Sequence, residues 1–199
     1  MRPFLFLLTL VLSFEVHAKK LIVLGDSLTE GYGVAKEAAF PALLEKKIHN
    51  ELKKNQWSVV NAGVSGSTTA SAASRLNWLL KSKPDMMIFA LGANDGLRGL
   101  KVAESEKNLD QAIQRAKDQK IKVILGGLYL PPNYGKEYTD EFKNMYEKLA
   151  KKHQVLFIPF ILDKVAGDPK YNLADGIHPN EKGHAIIAEN VFKAIKDSL

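Results

Sequence analysis

Along residues 19–199, short apolar runs alternate with longer stretches in which apolar residues recur every three to four positions. The short runs are Leu21–Leu24, Trp57–Val60, Met86–Leu91, Lys122–Leu125 and Val155–Ile158, and each reads as a strand. Between the first two, Phe40, Leu43, Leu44, Ile48 and Leu52 form one face of a helix. Thr68–Leu80 reads as a second helix. Leu109, Ala112, Ile113 and Ala116 mark a third across Glu104–Gln119, and Phe142, Tyr146, Leu149 and Ala150 a fourth across Glu137–His153. Gly183–Ile195 closes the chain as a helix that Pro179 is expected to start.

Strands that are apolar on both faces need cover on both, which a parallel sheet between two helical layers supplies. The alternation therefore predicts a three-layer α/β/α fold. Right-handed crossovers leave few topologies, and a five-stranded parallel flavodoxin-like sheet of order 2-1-3-4-5 is the expected one. No repeat or Pro/Ser linker interrupts residues 19–199, which are expected to form one domain.

The first eighteen residues follow a different grammar. Arg2 precedes an apolar run from Phe4 to Phe14, and Val16-His17-Ala18 places small residues at −3 and −1 of a cleavage site. That pattern predicts a secretory signal peptide over residues 1–18 and an exported, periplasmic or secreted chain starting at Lys19. The run is too short for a membrane span, which takes about 20 residues. Stable membrane insertion is not expected.

Composition narrows the chemistry. The chain has 199 residues, of which 46% are hydrophobic, and a net charge of +6. Cleavage after Ala18 removes Arg2 and Glu15 and leaves that charge unchanged. Absence of cysteine excludes disulfides, thiolate metal sites and a cysteine nucleophile. The basic excess is mild and sits mostly on helix faces, at Lys46, Lys47, Lys53, Lys54, Lys151 and Lys152, so no nucleic-acid partner is expected.

In a parallel sheet of this kind, ligands bind outside the carboxyl ends of the strands. Four motifs fall there. Gly25-Asp26-Ser27-Leu28 follows the first strand and puts a serine hydroxyl at a strand-to-helix turn, although Asp and Ser there also serve as helix caps. Asn61-Ala62-Gly63-Val64-Ser65-Gly66 follows the second, and Gly66 can bring a bare N–H to a ligand. Gly92-Ala93-Asn94-Asp95-Gly96 follows the third, where Asn94 offers two amide N–H groups or simply makes a turn. Asp175-Gly176-Ile177-His178-Pro179 precedes the last helix. Its His178 can serve as a base near neutral pH, with Asp175 three residues away to fix its tautomer. His49 and His153 lie in lysine-rich helices and read as surface, while His184 has no carboxylate in its own segment.

These four blocks, in this order, resemble those of the SGNH (GDSL) hydrolases, and more closely the bacterial thioesterase I/lysophospholipase L1/arylesterase subgroup. Asn94–Gly99 (NDGLRG) and Leu130–Gly135 (LPPNYG) resemble that subgroup's loops. Ala93 departs from the glycine common at that place. The resemblance implies Ser27 as nucleophile, Asp175 and His178 as its partners, and an oxyanion hole from Ser27, Gly66 and Asn94, with no metal or other cofactor. It implies a serine esterase for short- to medium-chain esters, thioesters or lysophospholipids, working as a monomer or weak oligomer. Leu97, Leu100, Leu128, Leu130, Tyr134 and Ile177 either line an acyl groove or shield the core. A carbohydrate O-deacetylase of the same family and a non-catalytic flavodoxin-like binding protein are the competing readings.

Overall fold

The computed structural model describes residues 18–199, so the expected signal peptide lies almost wholly outside the described residues. Five strands form one parallel sheet: β1 (Lys19–Gly25), β2 (Trp57–Gly63), β3 (Met86–Ala90), β4 (Lys122–Gly126) and β5 (Leu156–Ile158). Their order is β2-β1-β3-β4-β5, as the alternation of elements predicts. Seven helices connect and cover them: α1 (Ser27–Glu30), α2 (Phe40–Leu52), α3 (Ala72–Leu79), α4 (Ala93–Leu97), α5 (Val102–Asp118), α6 (Lys136–His153) and α7 (Glu181–Ile195). Helices α2 and α7 pack together, as do α5 with α6 and α3 with α5. The core runs along the inner strands: Leu21, Ile22, Val23 and Leu24 of β1, and all five residues of β3, are buried.

Three expectations need correction. The outer strands are not buried on both faces. Ser58, Val60 and Asn61 of the edge strand β2 are exposed, and Leu156 and Phe157 of the opposite edge β5 are only half-buried. An edge strand has one neighbour and incomplete cover, so it tolerates polar residues. β2 also runs on to Gly63, in register with Gly25 of β1, so Asn61-Ala62-Gly63 is strand rather than loop. Finally, α7 starts at Glu181, not at Pro179: the Asn180 side chain caps it by accepting from the N–H groups of Lys182 (3.0 Å) and Gly183 (3.1 Å).

Two histidines read as surface are not fully so. His153 is buried on α6, with Nε2 2.7 Å from an Asp110 carboxylate oxygen on α5. His49 is half-buried, its Nε2 2.6 Å from the Trp57 carbonyl oxygen. Periodicity alone does not register such a partner on a neighbouring element.

Candidate active site

The β1 end is built tightly. Asp26 is fully buried, and its Oδ1 accepts the Leu28 N–H at 3.0 Å, capping the single-turn helix α1. Ser27 is therefore the first residue of that helix, at the rim of the sheet. The cap and nucleophile readings thus fall to different residues: Asp26 caps, and Ser27 stays half-exposed. The end of β2 presses against α1 so closely that a Cβ on Gly63 would lie 2.1 Å from the Glu30 backbone nitrogen, so only glycine fits there. Arg75 of α3 ties the two strand ends together, donating to the carbonyls of Gly25 (2.9 Å) and Ala62.

His178 reaches this point from the far end of the chain. Its Nε2 lies 3.0 Å from Ser27 Oγ, and its Nδ1 lies 2.7 Å from Asp175 Oδ2. The loop holds its own acid in place, because Asp175 Oδ1 accepts the N–H groups of Ile177 and His178, both at 2.9 Å. Those backbone bonds, foremost that of His178, together with the imidazole contact, hold the Asp175 carboxyl down at about 2. It is thus ionised throughout the neutral range.

Gly66 has φ +76°, in the left-handed region that glycine enters freely. Its carbonyl accepts from Arg98 Nη2 at 3.1 Å. Asn94 lies in the first turn of α4, and its Nδ2 donates to the Ser67 carbonyl at 3.0 Å. The next approach of Nδ2 is to Asp26 Oδ2 at 3.5 Å, the limit of a hydrogen bond, so the second N–H is free to turn to a ligand. The two loops are joined below by Asp95, 2% exposed. It accepts from Thr69 N (2.9 Å), Thr69 Oγ1 (2.6 Å) and Ser105 Oγ (3.0 Å).

Asp26 and Asp95 lie inside the quoted motifs, yet sequence reasoning gave them no part in building the site. Burial pushes the Asp26 carboxyl up to about 6, against the opposing pull of the Leu28 N–H. Tyr32, just after α1, was also missed: its ring centroid lies 4.5 Å from that of His178. His184 is fully buried, its Nδ1 3.3 Å from the Phe40 N–H, and burial lowers it to about 4, so it stays neutral at pH 7.

The apolar residues expected to line a groove divide. Leu128 is core. Leu97, Leu130 and Tyr134 are half-buried; the Tyr134 hydroxyl donates to the Leu97 carbonyl at 3.0 Å, while Leu130 packs on the core. Leu100 and Ile177 are exposed, and Ile177 adjoins His178 in sequence. A hydroxyl hydrogen-bonded to an imidazole, which is bonded in turn to a carboxylate, is the arrangement that serves nucleophilic acyl transfer.

Comparison with known proteins agrees with that chemistry. The GDSL-like Lipase/Acylhydrolase family matches residues 23–186. The thioesterase 1/protease 1/lysophospholipase L1 of Escherichia coli K12 is 39% identical over 195 residues, covering 98% of this chain and 91% of the relative. The arylesterase of Vibrio mimicus is 41% identical over 200 residues, covering 97% and 98% respectively. A crystal structure of TesA superposes with a TM-score of 0.87 at 37% identity, over 91% of this chain and all of that one. With the family matched across most of its length and the relatives aligned nearly end to end, the chain belongs to the GDSL-like lipase/acylhydrolase family and is an ester hydrolase.

Proposed function

We propose that Ser27 is the nucleophile, His178 the general base and acid, and Asp175 the group that orients His178. Ser27 Oγ attacks the ester or thioester carbonyl while its proton passes to His178 Nε2. The carbonyl π pair moves to oxygen, and the oxyanion is held by the N–H groups of Ser27 and Gly66 and by Asn94 Nδ2. His178 then gives its proton to the leaving alkoxide or thiolate as the C–O or C–S bond breaks. Water repeats the sequence on the acyl-enzyme, restoring Ser27 and releasing the acid. No step calls for a metal or organic cofactor.

The observation that carries this reading is the 3.0 Å contact between Ser27 Oγ and His178 Nε2, across 151 positions, with Asp175 2.7 Å behind the imidazole. The substrates are carboxylic esters and thioesters of short- to medium-chain acyl groups, lysophospholipids among them. Leu97, Leu100, Leu130, Tyr134 and Ile177 form the apolar side of the site. The names of the similar proteins, which include a thioesterase, a lysophospholipase and an arylesterase, support that range. Residues 1–18 are an export signal cleaved after Ala18, which places the enzyme outside the cytoplasm. Among the described residues no helix is long and apolar enough to cross a membrane.

An organophosphonate probe should add its mass to the Ser27 peptide in the wild type and not in Ser27→Ala. Labelling elsewhere would refute the assignment. A series of p-nitrophenyl esters from acetate to laurate should show a short- to medium-chain optimum. Turnover of acetate alone would point to a deacetylase instead.

A further inference from the structure

We propose that Tyr32 is a positioning residue for the base: its ring sets the plane of the His178 imidazole and stabilises the imidazolium formed during acyl transfer. The inference rests on the roles given above to Ser27 and His178.

The two hydrogen bonds of His178 run from Nδ1 to Asp175 and from Nε2 to Ser27. They fix a line through the ring and leave rotation about that line unrestrained. A third contact, against a face of the ring, is what fixes the plane. The Tyr32 ring supplies it, with centroids 4.5 Å apart and the planes inclined at 41°. The constraint matters because the pair is open to water: the His178 and Asp175 side chains are 21% and 38% exposed. An imidazole that tilts loses its line to Ser27 Oγ without unfolding anything.

The chain delivers Tyr32 to this place by local means. Its N–H donates to the Ser27 carbonyl at 3.1 Å, so Tyr32 hangs from the nucleophile's own helix. Gly31 (φ +88°) and Gly33 (φ +78°) flank it in the left-handed region, turning the chain on both sides of the ring. Gly33 also closes on the loop that carries the base, since a Cβ there would meet Leu173 Cδ1 at 2.5 Å. Leu173 in turn donates its N–H to the His178 carbonyl at 2.7 Å. The turn after Ser27 and the loop around His178 are thereby seated on each other, with the Tyr32–His178 ring pair at the join.

The ring also answers the charge on the base. An aromatic face attracts a cation within about 6 Å of its centroid. His178 carries a positive charge only between taking the proton from Ser27 and giving it to the leaving group. The attraction therefore favours that interval over the ground state and lowers the barrier rather than tightening substrate binding. The contact is made by the ring, so the phenol hydroxyl is dispensable.

The test is steady-state kinetics with p-nitrophenyl butyrate on the full mature enzyme for Tyr32→Phe, Tyr32→Leu and Tyr32→Ala, with Ser27→Ala as the floor. Tyr32 is 52% exposed, so thermal melts close to wild type are expected and establish that the variants fold. Tyr32→Leu keeps some bulk but no π face and should lower kcat roughly three- to tenfold. Tyr32→Ala frees the plane as well and should lower it roughly ten- to thirtyfold. KM should stay within about threefold, and Tyr32→Phe should recover kcat to within about twofold of wild type. An unchanged kcat in Tyr32→Ala overturns the proposal. So does a loss confined to KM, which would make the ring a substrate contact, or a Phe variant as slow as Leu. Turnover retained by Ser27→Ala would instead remove the underlying mechanism, and this proposal with it.

Discussion

Replacing Asp95 should damage the protein twice, in stability and in turnover. Its buried carboxylate accepts from Thr69 N, Thr69 Oγ1 and Ser105 Oγ at 2.9, 2.6 and 3.0 Å. Bonds to a charged acceptor contribute about 1.5–3 kcal/mol each. Removing the carboxylate also removes the cost of burying it, which offsets several kcal/mol of that total. It leaves the Thr69 N–H without its acceptor in a site that water does not reach, at a cost of about 1–3 kcal/mol. Asp95→Ala should therefore be destabilised by about 3 kcal/mol net. At about 2–4 °C per kcal/mol for a domain of this size, the melting midpoint should fall by about 6–12 °C. Because Ser67, two residues before Thr69, holds Asn94 Nδ2 through its carbonyl, the two oxyanion donors should loosen together. The expected kinetic signature is a kcat lowered roughly tenfold with KM little changed. Scanning calorimetry and ester turnover on the same preparation read both effects. A midpoint within about 2 °C of wild type would show that these bonds contribute little, and the reasoning would be wrong.

Other outcomes follow from the same geometry. Asn94→Ala should lower kcat by about 10²–10³ through loss of one oxyanion donor, and wild-type turnover would remove Asn94 from that role. Asp26, raised to about 6 by burial from an ordinary 3.8, binds its proton more tightly folded than unfolded, so its contribution makes the fold more stable as pH falls from 6 toward 4. Its charge costs about 3 kcal/mol at pH 8, and Asp26→Asn should raise the denaturation midpoint there and lose the gain at pH 4. His184, lowered to about 4 from 6.5, has the opposite sign: stability present above 6.5 is lost as pH falls toward 4. The two nearly cancel in wild type, so Asp26→Asn should steepen the loss of stability between pH 6.5 and 4 in urea titrations. Gly63→Ala should express poorly or melt far below wild type, because the added Cβ has no room beside the Glu30 backbone.

The sheet order was legible because β1 and β3, the strands that carry most of the core, are apolar at every inward and outward position. β2 was read short: its last three residues, Asn61-Ala62-Gly63, look like turn material, and they are strand because they pair with the end of β1. The very short helices α1 and α4 have too few residues to show a helical period, so the serine and asparagine they present were legible only as motif residues. The chemistry-bearing side chains of the site could be named from the chain because each sits in a compact block after a strand. What stayed hidden were contacts between blocks: Asp95 to Thr69, Arg75 to two strand ends, Tyr32 to His178. Of the apolar loop residues, Leu128 was drawn into the core because the chain there still runs beneath α6 and the β5 loop, and spacing carried no sign of it.

The loop from Asp175 to His178 assembles its acid and base from four consecutive residues. Almost all of the alignment problem is thus reduced to one long-range distance, from His178 Nε2 to Ser27 Oγ. Closing a loop of that length is slow and entropically costly compared with forming the strands and helices between. During refolding, circular dichroism should therefore recover before turnover does. The last event to complete is the docking of the segment just ahead of α7, and the rate at which activity returns measures that event alone.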